Sequence, residues 1–314
     1  MFGAQGANLS YLQKMRGVHQ QIIDYLRRFG VNVNHYREYP GDLRAWTIEK
    51  ANAVSVQEIP DIDCCSDEWE FFEVKLETRV LPYHRSSFFE VDRVLTLIKD
   101  EYTTFVNNSC AMTVHVGNVP WPNPRNYASH GFNLSAVQTL LQFVWKFEAQ
   151  INALHPAHRV WGNSRCLPPT ATLGSIEPNM VIREILDCVD MEELYDLWEG
   201  DLTEEQTRHK AAAYSIRRLT DPDDSSVYNG TIRFGQHKGT LDFEEVKNWV
   251  WFVGCLVKFA VDRGPCGIPL ELMGPHGSTA QLTLRELSPL EFVACFAMWD
   301  QFAFYSEQLS VDYA

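Results

Sequence analysis

Apolar positions along this chain recur with two periods, and the periods alternate. Leu12, Met15, Ile22, Leu26 and Phe29 share one helical face, which predicts a helix over Ser10–Phe29 stopped by Gly30. Phe88, Val91, Val94, Leu95 and Ile98 do the same for Ser87–Tyr102. Leu134–Leu154 is the longest clean helical run and stops before Pro156. Val181–Cys188 and Met191–Trp198 read as short helices, the second capped by Asp190 with Glu193. Val246, Trp249, Val250, Val253, Leu256, Val257 and Ala260 form the stripe of a helix over Phe243–Val261, opened by Asp242 with Glu245. Leu290–Leu309 predicts a last helix, introduced by Ser288-Pro289.

Between these runs the period falls to two. Val31–Val33, Ala45–Val56, Trp69–Leu81 and Met112–Val116 read as strands. In Thr231–Asp242, Ile232 and Phe234 alternate with Arg233 and Gly235, so one face is apolar. By the same rule Glu73, Lys75, Glu77 and Arg79 share a strand face. Asn163–Pro178 and Leu219–Asn229 read as loops, as does Pro120–Pro124. Strands interleaved with helices, without repeat or linker, predict one domain over 1–314. Its expected class is α+β: a mixed, mostly antiparallel curved sheet with helices largely on one face.

Composition narrows the function. With 314 residues and 45% hydrophobic content the chain can bury a large core. A net charge of -14 argues against nucleic acid or an anionic membrane as partner. The longest apolar run, Trp249–Ala260, is too short for a bilayer and contains Lys258. The eight cysteines form no CxxC pair and read as free thiols in a reducing compartment. With no signal-peptide pattern at the N-terminus, the sequons at Asn107, Asn133 and Asn229 read as coincidental, and the expected location is cytoplasmic.

Phosphate-loop, dinucleotide-loop and GxSxG patterns are absent. His155 and His158 flank Pro156 at a helix end and read as surface residues, while His115 and His237 lie in strands and are the better candidates.

Several weak motifs in order say more than any one. Thr231–Asp242 resembles the block TIEFRQHxGTLD, Cys110–Gly117 resembles CGLHVHVG, and Phe147-Glu148 through His155-Pro156 to Arg159 resembles FE…LHPxxR. Trp46–Val54 is similar to WxVxxDxSV, Val74–Leu81 to VELxSxxL, and Phe2–Ala7 to FGVEIE. By these the chain resembles the fungal amidoligase-like family of the glutamine-synthetase-like carboxylate–amine ligases. The resemblance implies a glutamine-synthetase-like core that binds ATP and magnesium, phosphorylates a carboxylate and lets an amine attack the acyl phosphate. Magnesium then needs carboxylate oxygens, and the phosphoryl group needs metal and Arg.

The sequence departs from that pattern in one direction. Positions that carry Glu in the family hold Gln5, Ala7, Lys75 and Arg233; the Asp position holds Ala51. The first His of CGLHVHVG is Thr113, leaving His115, and the Arg of TIEFRQH is Gly235, leaving Gln236 and His237. The strands look retained while the metal carboxylates are neutral or basic. Three readings follow. The first is a non-catalytic protein that needs no cofactor and binds a protein partner or small acidic ligand. The second is a ligase with ATP and magnesium that uses Glu73, Glu77, His115, Gln236 and His237. The third is different chemistry at the same cleft, such as anion binding by Lys75 and Arg233. On the first reading no metal is expected.

Overall fold

The computed structural model describes residues 10–35, 44–51, 54, 70–118, 131–160, 166–174, 176–177, 180–200, 202–203, 212–220, 230–263, 288–294 and 299–312. Its strands and helices make an α+β chain of mixed, mostly antiparallel pairing. The chain falls into two compact units: residues 1–110 with Gly239–Phe243, and Ala111–Lys238 with residues 244–314.

The first unit is a three-stranded sheet with helices α1 (Tyr11–Arg28) and α2 (Arg85–Glu101). Ser10 caps α1 through a capping box with Gln13, and Gly30 takes a positive φ of 76° just beyond its end, as the sequence predicts. Phe88, Val91, Val94, Leu95 and Ile98 of α2 are all buried. Strand β1 (Val33–His35) pairs parallel with β2 (Trp46–Glu49), which pairs antiparallel with β3 (Lys75–Glu77). Of the long strand expected over Trp69–Leu81, Lys75–Glu77 is paired, and Trp69 lies outside the described residues. Trp46 and Ile48 are buried, and the Trp46 indole donates to Glu90 of α2 at 2.7 Å. The alternate residues Thr47 and Glu49 therefore share the other face with Lys75 and Glu77, their partners in register.

The second unit holds the sheet β4 (Val114–Gly117), β6 (Thr231–Phe234) and β5 (Tyr214–Ser215), antiparallel throughout with β6 central. Its helices are α3 (Leu134–Lys146), α4 (Glu148–Asn152), α5 (Pro169–Thr172), α6 (Val181–Asp187), α7 (Met191–Glu199), α8 (Phe243–Arg263, all but its first residue), α9 (Pro289–Ala294) and α10 (Trp299–Asp312). Ile232 and Phe234 of β6 face a core with Phe143, Phe147, Trp249, Phe252, Phe292 and Tyr305, as the two-residue period requires.

Two local expectations are corrected. The helix predicted over Leu134–Leu154 breaks at Phe147, whose ring sits 4.5 Å from Phe143 and 4.8 Å from Phe292, while main-chain bonds from Phe147 to Phe143 and from Ile151 to Phe147 continue. The run continues past Phe147 with a local departure from helical backbone at that residue. The presumed loop over Asn163–Pro178 contains α5, started by Pro169 at its first turn. The last helix is described as α9 and α10, with residues 295–298 outside the described set.

Candidate functional site

The polar end of β6 builds a buried polar cluster in the second unit. Register sets His115 of β4 and Ser215 of β5 on either side of Arg233, making one polar rung across three strands. Ile232 and Phe234 occupy the core face, so Arg233 takes the other, yet it is also buried. Its guanidinium donates through Nη2 to the carbonyl of Ala212 and lies close to Glu199. Burial lowers the Arg233 pKa to about 10, which keeps the group charged at neutral pH.

Gly235 is part of the same device. A Cβ there would stand 2.6 Å from Arg233 Nη1, so the guanidinium lies across a residue with no side chain. The carbonyls of Gly235 and Gln236 accept from Arg159 Nη2 and Nε at 2.6 and 3.2 Å. These bonds pin the turn after β6 to the end of the helical segment that carries Arg159.

Gln236 is buried and engaged at both ends of its amide. Its Oε1 accepts from the Tyr214 hydroxyl, and its Nε2 donates to Asn152 Oδ1. Asn152 also bonds Glu148, one helical turn before it, and Glu148 accepts from the Thr170 amide at 2.9 Å and hydroxyl at 2.7 Å. Burial raises the Glu148 carboxyl and holds the Tyr214 phenol well above its ordinary value. Glu199 accepts from Ile216 N at 2.7 Å and Ser215 Oγ at 3.0 Å; burial raises it too, against those bonds and the Arg233 charge. In both carboxylates each oxygen already accepts a hydrogen bond from the chain. The network is closed on itself and high in stakes, because any unpaired member would be buried.

His237 follows. Its Nδ1 bonds the carbonyl of Lys238 at 2.7 Å, and its ring lies 5.6 Å from both Trp249 and His155. His155, expected at the surface, is buried with its ring edge-on to Trp249 at 4.5 Å. Neither of its nitrogens has a hydrogen-bond partner among the described residues. Burial lowers the pKa of both histidines, that of His155 far below the ordinary value.

The remaining candidates are placed as follows. Thr113 is exposed beside β4, and His115 Nδ1 lies 3.4 Å from Thr231 Oγ1. Glu73, Lys75 and Glu77 belong to the first unit, while Thr113, His115, Arg233, Gln236 and His237 belong to the second. Gln5 lies outside the described residues. Glu73 is buried, accepts from the Tyr11 hydroxyl and pairs with Lys50 at 3.1 Å. Lys75 pairs with both Glu49 and Glu77. Sequence reading missed Asn152, Tyr214 and Glu199; the four-residue spacing of Glu148 and Asn152 on one helix was the available signal.

Magnesium wants several oxygen ligands in near-octahedral array. At β6 each oxygen of Glu148 and Glu199 already accepts a hydrogen bond from the chain, and the charged Arg233 guanidinium acts electrostatically on Glu199. Among the described residues no three His, Cys, Asp or Glu side chains gather as metal ligands. The residues described at β6 do not fit the ion. Nor is any described helix long and apolar enough to cross a membrane.

Compared with models of protein families, residues 33–257 match the one described as "Putative amidoligase enzyme". No curated protein and no solved structure matches the chain.

Proposed function

Because the chain belongs to the amidoligase family, we propose that it keeps the family scaffold without the metal-dependent ligase chemistry and works as a non-catalytic ligand- or partner-binding protein. The observation that carries this reading is Arg233. A buried, charged guanidinium occupies the central strand of the second unit, at the position where the family resemblance expects Glu. A buried cation without compensation is costly, and here the chain supplies Glu199 and the carbonyl of Ala212 to compensate it. Gly235 supplies the room. Such a fitted arrangement supports a rebuilt interior, since a cation placed by drift into a metal site would lack partners.

The other reading is an active ATP- and magnesium-dependent carboxylate–amine ligase that draws on Glu73, Glu77, His115, Gln236 and His237. ATP titrated into the chain by calorimetry, with and without magnesium, separates the two. No magnesium-dependent heat is expected. Micromolar binding that appears only with magnesium overturns the non-catalytic reading.

A further inference from the structure

Two exposed surfaces of the chain complement one another in charge and in apolar content. The first lies on α2, where Arg85, Phe89 and Arg93 recur at four-residue spacing and so form one helical stripe. All three are exposed, and the Phe89 ring stands 75% open to solvent. Arg93 Nη2 donates to the carbonyl of Phe29, which brings the end of α1 alongside. There Phe29 is itself 45% exposed, next to the exposed Arg28. Of the acids within the stripe's span, Glu90 already pairs with Arg79 and accepts from the Trp46 indole, and Asp92 is half-buried.

The second surface is the corner between α6 and α7. Leu186 and Val189 are exposed there to 54% and 74%. From Arg183 to Glu193 the chain carries five carboxylates, Glu184, Asp187, Asp190, Glu192 and Glu193, against the one guanidinium of Arg183, which pairs with Asp187 at 3.4 Å. They gather at the corner. Glu193 accepts from the amide of Val189 at 3.0 Å, Asp190 caps α7, and the charges of Glu193, Glu184 and Asp187 all act on the Cys188 thiol.

A ring as open as Phe89 gains by leaving water, and aromatic and Arg side chains are the ones that protein interfaces favour. Neither surface suits a copy of itself, since like charges would face one another. Each suits the other: Phe89 meets Leu186 and Val189, while Arg85 and Arg93 meet the carboxylates around them. Exposed ion pairs add little strength, so the apolar contact holds and the charges set which surfaces meet.

We propose that the chain associates with a second copy of itself head to tail, the Arg85–Phe89–Arg93 stripe of one copy seated on the α6–α7 corner of the next. Such a contact is heterologous, because each copy offers a different surface to it. The inference does not depend on whether ligase chemistry is retained.

Sedimentation velocity of the full chain tests it. Across the micromolar range the average mass of the native chain should rise with concentration above that of the monomer, and less so at high salt. Phe89→Glu and Val189→Lys should each weaken the association by about tenfold or more, with an unchanged circular-dichroism spectrum. Mixed one to one, the two variants should pair again and stop at a dimer, because each keeps the surface that the other lacks. A native chain that stays monomeric, variants that associate as the native chain does, or a mixture that stays monomeric each overturns the proposal; the last is what a symmetric contact would give. Should either variant fail to fold, Arg85→Glu and Leu186→Glu, at exposed positions of the same two surfaces, take their places with the same expected outcomes.

Discussion

His155 shows how a single residue can change meaning between sequence and structure. It follows a helix end and precedes Pro156, a setting that predicts exposure, yet its ring is buried against Trp249 and His237. A neutral imidazole with no partner on either nitrogen must lose stability when it gains a proton. The sign follows from linkage. Burial depresses the folded pKa below the ordinary 6.5, so the unfolded chain binds more protons at acid pH. Stability is therefore full above about pH 6.5 and falls as pH drops toward the folded pKa, by up to about 1.4 kcal/mol per pH unit for this group. His237, His158 and His19 shift in the same direction and add to the slope. Replacing His155 by Leu is expected to flatten part of the slope between pH 7 and pH 5 in melting experiments, with little change at pH 8. An unchanged slope in that variant would place the acid sensitivity elsewhere.

Among the elements, β6 carries the most consequence. Its apolar face was legible, because Ile232 and Phe234 follow the two-residue period of a strand. Its other face was legible only as a list of residue types. That Arg233 turns across Gly235 to the carbonyl of Ala212 depends on β5, which joins the sheet from 17 residues upstream of β6 (Tyr214 against Thr231). Gly235→Ala tests this packing. The added methyl meets a guanidinium that is buried and cannot swing into water, so a loss of about 1–3 kcal/mol is expected in denaturant unfolding. In the background of Arg233→Met the same change should cost clearly less, because the crowding partner is gone. Equal losses in both backgrounds would mean that the Gly is required for its backbone and not for the space it leaves.

For the whole molecule, the matched segment and the folded segment differ. The family match spans residues 33–257, which leaves out α1, α9, α10 and the last turns of α8. Those omitted pieces are not ornaments. Ile23 and Leu26 of α1 are buried in the first unit, and Phe292, Val293 and Tyr305 are buried in the second. Removing several buried apolar side chains costs more than a domain's whole margin of stability, at about 2–5 kcal/mol each. A fragment cut to residues 33–257 is therefore expected to show no cooperative thermal transition by circular dichroism. A sharp transition near that of the full chain would show that the matched segment folds on its own.

The sequence by itself determined the elements with a strong period and their caps. Ser10 with Gln13, the stripe of α2 and the start of α8 after Asp242 all depend on residues within a few positions of one another. It also carried the family, because the motif residues keep their order along the chain. Only tertiary structure decided the partners of the polar residues. Gln236 meets Asn152, 84 residues away, Trp249 covers His155, and Lys75 finds Glu49 through strand register, 26 residues apart. Local periodicity reports which side of an element is buried. Whether a buried charge is met by a carboxylate, a carbonyl or another cation depends on chain segments that no local pattern connects.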